Sequence, residues 1–163
     1  MSLPALPAAD RRDFDVIACG ENSLDFVAVL APGSAQAGKR HLTSFALHPG
    51  GQAATAATAC ARLGLRARYV GAFGDDEWGT RASASLAQAG VHVVAATRSG
   101  TPGRIAVVLV DQAGERTVLE YRHPDVQVAP ADVAAEVITS AIKVARIGTG
   151  VEPFSLCAAF MVH

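Results

Sequence analysis

The chain has 163 residues, 50% hydrophobic and 18% charged, which excludes a disordered polypeptide and suits one globular domain. Lys and Arg total 14 and Asp and Glu total 15, so a formal net charge of -1 offers no basic patch for nucleic acid or an anionic membrane. Cys19, Cys60 and Cys157 are odd in number and lack ligand-like spacing, which argues against a disulfide framework or zinc site and fits a reducing cytoplasm. Residues 1–12 lack the apolar core of a signal peptide and read as a flexible extension; no apolar run approaches the roughly 20 residues of a membrane span.

DVIACG (residues 15–20) has the pattern of a buried strand running into a loop. DFVAVL (25–30) and HLTSFAL (41–47) flank the turn-rich stretch APGSAQAGKR and predict an antiparallel pair. Residues 52–63 form an alanine-rich helical segment ended by Gly64, and ARYVGAF (67–73) reads as a strand. A second helix is expected over 77–89, ended by Gly90, with Asp75, Asp76 and Glu77 complementing its dipole and Trp78 packing beneath it. VHVVAA (91–96) follows as a strand. RIAVVLV (104–110) and RTVLEY (116–121) predict a second hairpin, with Gly114 at a left-handed turn position. A helix over 130–142, opened by Pro130 and Asp132, and a strand from Lys143 complete the pattern. Strands alternating with helices predict a parallel sheet.

The sharpest local signal is GGQAATAATACARLG, where Gly50 and Gly51 precede the first helix. In an open α/β sheet, ligands bind beyond the carboxyl ends of the strands, where helix N-termini present unpaired amides. Glycine there lets the backbone touch a ligand, or it serves a tight turn needing positive φ. GAFGD (71–75) has neither the spacing of a phosphate-cradling loop nor a following Lys with Ser or Thr. His41, His48, His92, His123 and His163 are scattered, with no pair at metal-ligand spacing. No GxGxxG follows the first strand, which counts against a dinucleotide-binding oxidoreductase.

Taken together, GENSLDF (20–26), the double-glycine helix, VGAFGDDEWG (70–79) and the hairpin around DQAGE resemble, in order, the ribokinase-like (PfkB-type) carbohydrate kinase family. The resemblance implies an α/β fold of three layers, a parallel sheet with helices on both faces, plus a small antiparallel β lid made of strands at about 25–47 and 104–121. It implies that residues 13–150 are the N-terminal part of a truncated sugar kinase domain. It also implies that Asp25 binds sugar hydroxyls together with the backbone at Gly50 and Gly51. A carboxylate suits that task because it accepts two hydroxyl donors at once. Where the family carries asparagine, this chain has Thr55, which keeps one hydroxyl but loses the amide's reach; Gln52 is a substitute amide. Arg104 either reaches an acidic sugar from the lid or is a solvated charge at a strand start. GENSLDF leans toward the fructokinase or ketodeoxygluconate kinase side.

The resemblance also implies ATP and Mg²⁺ as cosubstrate and metal, with a homodimer through the lid as a further expectation. The family's anion-hole motif, Gly-x-Gly-Asp, does not occur, and no aspartate follows Asp132. Catalytic and ATP-binding residues are therefore expected to be missing, and residues 151–163 (VEPFSLCAAFMVH) read as an atypical apolar tail. The alternative is a non-catalytic sugar-binding or lid-mediated dimerisation module.

Overall fold

The computed structural model describes residues 13–33 and 38–133 and the backbone of 141–147. Its elements run β1 (Phe14–Gly20), β2 (Ser23–Leu30), β3 (Leu42–Gly50), α1 (Gln52–Arg62), β4 (Ala67–Gly74), α2 (Glu77–Gln88), β5 (His92–Arg98), β6 (Ile105–Val110), β7 (Arg116–Tyr121), a 3-10 turn (Pro130–Asp132) and β8 (Ala141–Ile147). They build two four-stranded sheets, ordered β5-β4-β1-β8 and β3-β2-β6-β7.

The first sheet is parallel throughout. A strand covered on both faces has to be apolar on both, and β1 is buried from Val16 to Cys19. Both helices lie on the same face, where the small side chains of Ala53, Ala54, Ala57 and Ala82 let the backbones approach Ala18, Tyr69 and Phe73. Each helix ends as its glycine predicts. Gly64 and Gly90 take positive φ, and the amides of Leu65 and Val91 return to the carbonyls of Cys60 and Leu86 at 3.1 Å each. Val91 is itself buried against Leu86, which joins the second cap to the core. On the opposite face, Ile17, Cys19 and Val70 form a second cluster that Phe14, Val94 and Val133 border.

The second sheet forms from both expected antiparallel pairs, β2 with β3 and β6 with β7. They join through a parallel seam that pairs Leu24 with Ile105 and Val29 with Val110, so the lid is a mixed sheet. Trp78 of α2 meets Phe26 of β2 edge to face, with ring centroids 5.3 Å apart. The indole therefore fastens the helix to the lid as well as packing on the core.

The expected helix over 130–142 is corrected at both ends. Pro130–Asp132 is one 3-10 turn and Ala141 already belongs to β8, while residues 134–140 lie outside the described residues. The parallel pairing of Phe14 with Ala141 and Gly20 with Ile147 places this segment beside β1 as a strand, and its β-branched Ile142, Val144 and Ile147 suit that conformation. The extension at 1–12 and the tail at 151–163 lie outside the described residues as well.

Beneath the carboxyl end of β1 lies a buried polar knot. The Asn22 amide donates to the Tyr69 hydroxyl at 3.0 Å and to the Ala72 carbonyl at 2.8 Å, and Tyr69 in turn donates to the Gly20 carbonyl at 2.6 Å. Burial pushes the Tyr69 phenol well above its ordinary range, so it stays a neutral donor. Tyr69→Phe is expected to cost about 1–3 kcal/mol, because Gly20 and Asn22 would each lose a buried partner. A urea unfolding midpoint unchanged from wild type would refute that role.

Candidate functional site

The β1–β2 connection, the start of β2, the end of β3 and the N-terminus of α1 meet at the root of the lid sheet, and Asp25 lies there. The Ser23 hydroxyl donates to its Oδ1 at 2.7 Å, which orients the carboxylate. A Cβ built on Gly50 would lie 2.3 Å from Asp25 Oδ2, so the carboxylate rests directly on the Gly50 backbone. Gly51 has φ +90, and a Cβ there would lie 2.5 Å from Asn22 Cα and 2.6 Å from the Glu21 carbonyl oxygen. The double glycine thus first makes room for the chain's own β1–β2 turn and the Asp25 side chain.

α1 begins just behind this contact. Gly51 is its N-cap, no side chain caps it and no acid occupies its first turn. The Ala54 amide donates to the Glu21 carbonyl at 3.3 Å, which ties the first turn to the β1–β2 connection. Gln52 and Thr55 stand on exposed positions of that turn, three residues apart and hence neighbours on the helix surface. The structure therefore brings Asp25, Gly50 and Gly51 into contact, while Gln52 and Thr55 flank the group from the solvent side.

Arg104 is corrected from a solvated strand-start charge. Its side chain is only 10% exposed and is bound by the carboxylates of Glu21 and Glu120, the latter also accepting from Nε at 2.5 Å. Arg122 closes the group at 3.3 Å from Glu120 and 3.6 Å from Glu21. Burial alone would lower the Arg104 pKa and raise that of Glu120. The hydrogen bonds and charge of the opposite partners outweigh burial, so the guanidinium is held above and the carboxyl below its usual range. Glu21, Glu120 and Arg122 escaped the sequence reading. The available signal was the two-residue spacing of Glu120 and Arg122 on one face of a hairpin strand whose partner begins at Arg104.

The root of β6 is held from the other side by the acidic turn before α2. Asp76 Oδ1 accepts from the amides of Gly79 and Gly103, both at 2.9 Å, so one carboxylate caps the helix and anchors the lid. Asp75 accepts from the Gly100 amide at 2.7 Å, and that hydrogen bond keeps its carboxyl below the usual range. Gly74, Gly79 and Gly103 meet so closely that a Cβ on Gly79 would sit 2.0 Å from the Gly74 carbonyl oxygen. Asp76→Ala is expected to lower stability by about 2–3 kcal/mol, the sum of a lost N-cap and a lost tie to Gly103. Asp76→Asn, which keeps the oxygen acceptor, should recover most of that loss in urea unfolding. Equal losses in both variants would show that the hydrogen bonds are not the cause.

In open α/β sheets ligands bind beyond the carboxyl ends of the strands, beside helix N-termini, and Asp25, Gly50 and the start of α1 meet in such a place. Comparison with known proteins gives the family. Residues 15–157 match the pfkB family of carbohydrate kinases, and the chain belongs to it. It is similar to Fructokinase-1 of Oryza sativa subsp. japonica, 35% identical over 129 residues that make up 77% of this chain and 39% of the relative. Fructokinase-2 of Solanum habrochaites is 33% identical over 77% of this chain and 38% of its own length. Among solved structures, fructokinase from Xylella fastidiosa superposes with a TM-score of 0.65 at 27% identity, covering 81% of this chain and 40% of that one. The chain thus spans about two fifths of the length of these relatives, corresponding to their N-terminal part.

Proposed function

We propose that this chain is the sugar-binding, lid-bearing part of a carbohydrate kinase that moves the γ-phosphoryl group of ATP onto a sugar hydroxyl, with fructose the first candidate acceptor. The observation that carries the reading is the Asp25 carboxylate, pinned by Ser23 against Gly50 at the roofed edge of the sheet. A carboxylate so fixed accepts two hydroxyl hydrogens of a sugar, and nearby backbone amides at Gly50 and Gly51 supply donors. Arg104 holds the β6 root in place beside it. Gln52 and Thr55 contribute from exposed positions on the first turn of α1, Thr55 with a single hydroxyl. The lid excludes water from the acceptor oxygen. Fructose follows from the fructokinases among the relatives.

ATP use is in keeping with the family and with an ATP-bound Xylella fastidiosa fructokinase that is 30% identical over 67% of this chain. Mg²⁺ would neutralise the phosphates during transfer. The residues present do not fit either group: among the described residues no three His, Cys, Asp or Glu side chains gather as a metal site, and the sequence lacks Gly-x-Gly-Asp. No catalytic residue is assigned, and the chain alone is expected to bind sugar without turning it over. Titrating purified chain with fructose tests the first half, and coupled detection of ADP tests the second. Absence of fructose binding would refute the sugar site, and fructose-dependent ADP release would refute the inactivity.

One observation favours a second reading, a lid-mediated homodimer, with or without catalysis. Phe45, Leu119 and Tyr121 are 59%, 56% and 49% exposed on the lid, an apolar surface that a second lid would cover. Sedimentation of the chain as a monomer at micromolar concentration would refute it. No helix among the described residues is long and apolar enough to cross a membrane, and we place the protein in the cytoplasm.

A further inference from the structure

Strand register sorts the lid residues onto two faces, and the face that carries Asp25 has an unusual charge pattern. His48, Asp25, Ala106 and Glu120 stand in one row across β3, β2, β6 and β7. Arg104 and Arg122 lie two residues from Ala106 and Glu120, so they share that face at the sheet root. Farther out the same face turns apolar, with Val27, Val108 and Val118 in register. At the far end the row is Val29, Val110 and Arg116, so apart from Arg116 the charged groups of this face gather at the root, near the Asp25 carboxylate.

Glu21 sits between the two guanidinium groups from the β1–β2 connection, and Glu120 does so from β7. With Asp25 the group holds three carboxylates against two arginines, a formal surplus of one negative charge. Both arginines are paired. A carboxylated sugar entering here would meet the surplus charge and would have to displace a glutamate from Arg104 or Arg122 to gain a partner. Displacing one member of a partly buried pair leaves the other without its countercharge, which opposes such binding. A neutral sugar meets no such opposition.

We infer that Glu21 and Glu120 are specificity-determining residues that make this site take neutral sugars and reject sugar acids, by occupying the arginines that an acid would need. This rests on the sugar-site reading above. Discrimination of this kind is built by opposing the wrong ligand as well as by fitting the right one.

The test is to titrate the purified chain at low salt with fructose and with gluconate, a hexose-derived acid, and to compare wild type with Glu120→Gln and with Glu120→Gln/Arg122→Ala. Wild type should bind gluconate at least about tenfold more weakly than fructose, given charge effects at close range. Glu120→Gln should narrow the ratio of the two dissociation constants by about tenfold, and the added Arg122→Ala should restore the original ratio. The gain should fade in about 1 M NaCl, where screening acts within about 3 Å. Circular dichroism melting checks that each variant is folded; Glu21→Gln, with the same expectation, takes the place of a Glu120 variant that is not. Equal binding of fructose and gluconate by wild type, or an unmoved ratio in a folded variant, overturns the inference alone. Failure of wild type to bind either ligand overturns the sugar site and this inference with it.

Discussion

Asp25→Ala is expected to weaken fructose binding by on the order of 100-fold, the largest functional loss of any single change in the described residues, as two hydrogen bonds to a charged acceptor disappear together. The fold should tolerate the change. Asp25 lies near a strand start, its carboxylate accepts from the Ser23 hydroxyl, and its removal leaves the backbone pairing of β2 with β3 in place. Stability is expected to fall by less than about 1 kcal/mol. Asp25→Asn keeps one oxygen acceptor but turns the other into a donor, and an intermediate loss of about tenfold follows. Fructose affinity in a folded Asp25→Ala variant that stays within threefold of wild type, on the order of experimental scatter, would move the sugar site elsewhere.

The largest structural loss is expected at Gly51. An alanine there must adopt φ near +90, and its Cβ must occupy space already held by Asn22 Cα and the Glu21 carbonyl. The backbone strain costs about 1–3 kcal/mol, and the collision forces the β1–β2 connection to move as well, so Gly51→Ala should destabilise by about 3 kcal/mol or more. Gly64→Ala is the matched control. It has φ +85 but open space around the added methyl, so it should cost only about 1 kcal/mol. The difference between the two variants in urea unfolding isolates the steric part. Equal losses would mean that conformation, not crowding, governs the double glycine.

Much of this architecture is legible in the chain itself, for identifiable reasons. Short apolar runs such as DVIACG and ARYVGAF, each bounded by glycine, declare buried strands, and Gly64 and Gly90 declare helix ends. The Asp76 cap is equally open to view, since an acid before a helical run is a local signal. The lid seam between β2 and β6 is not. Pairing Leu24 with Ile105 joins segments far apart in sequence, and no local pattern specifies that neighbour. The charge group at the lid root depends on that same register, because a slip of one residue would send Glu120 to the other face. Asp25 and the double glycine could be named from motif order, whereas their mutual contact could not. The spacing suggested a ligand pressed against Gly50 and Gly51; the structure shows Asp25 and Asn22 already there. The segment at 130–142 misleads for a different reason. Pro130 and Asp132 do open a helical turn, but the segment Ala141–Ile147, with β-branched Ile142, Val144 and Ile147, belongs to a strand.

The junction of Gly74, Gly79 and Gly103 bears on the order in which the molecule assembles. Asp76 reaches the lid root only 27 residues along the chain, and β4, α2 and β5 are consecutive, so this unit closes through short loops. The lid seam closes a far longer one, whose entropy cost must be met before its contacts repay it. Amides of β4 and α2 should therefore gain protection from exchange during refolding before those of β2 and β6. The turn that anchors the roof would then be the template on which the roof is laid.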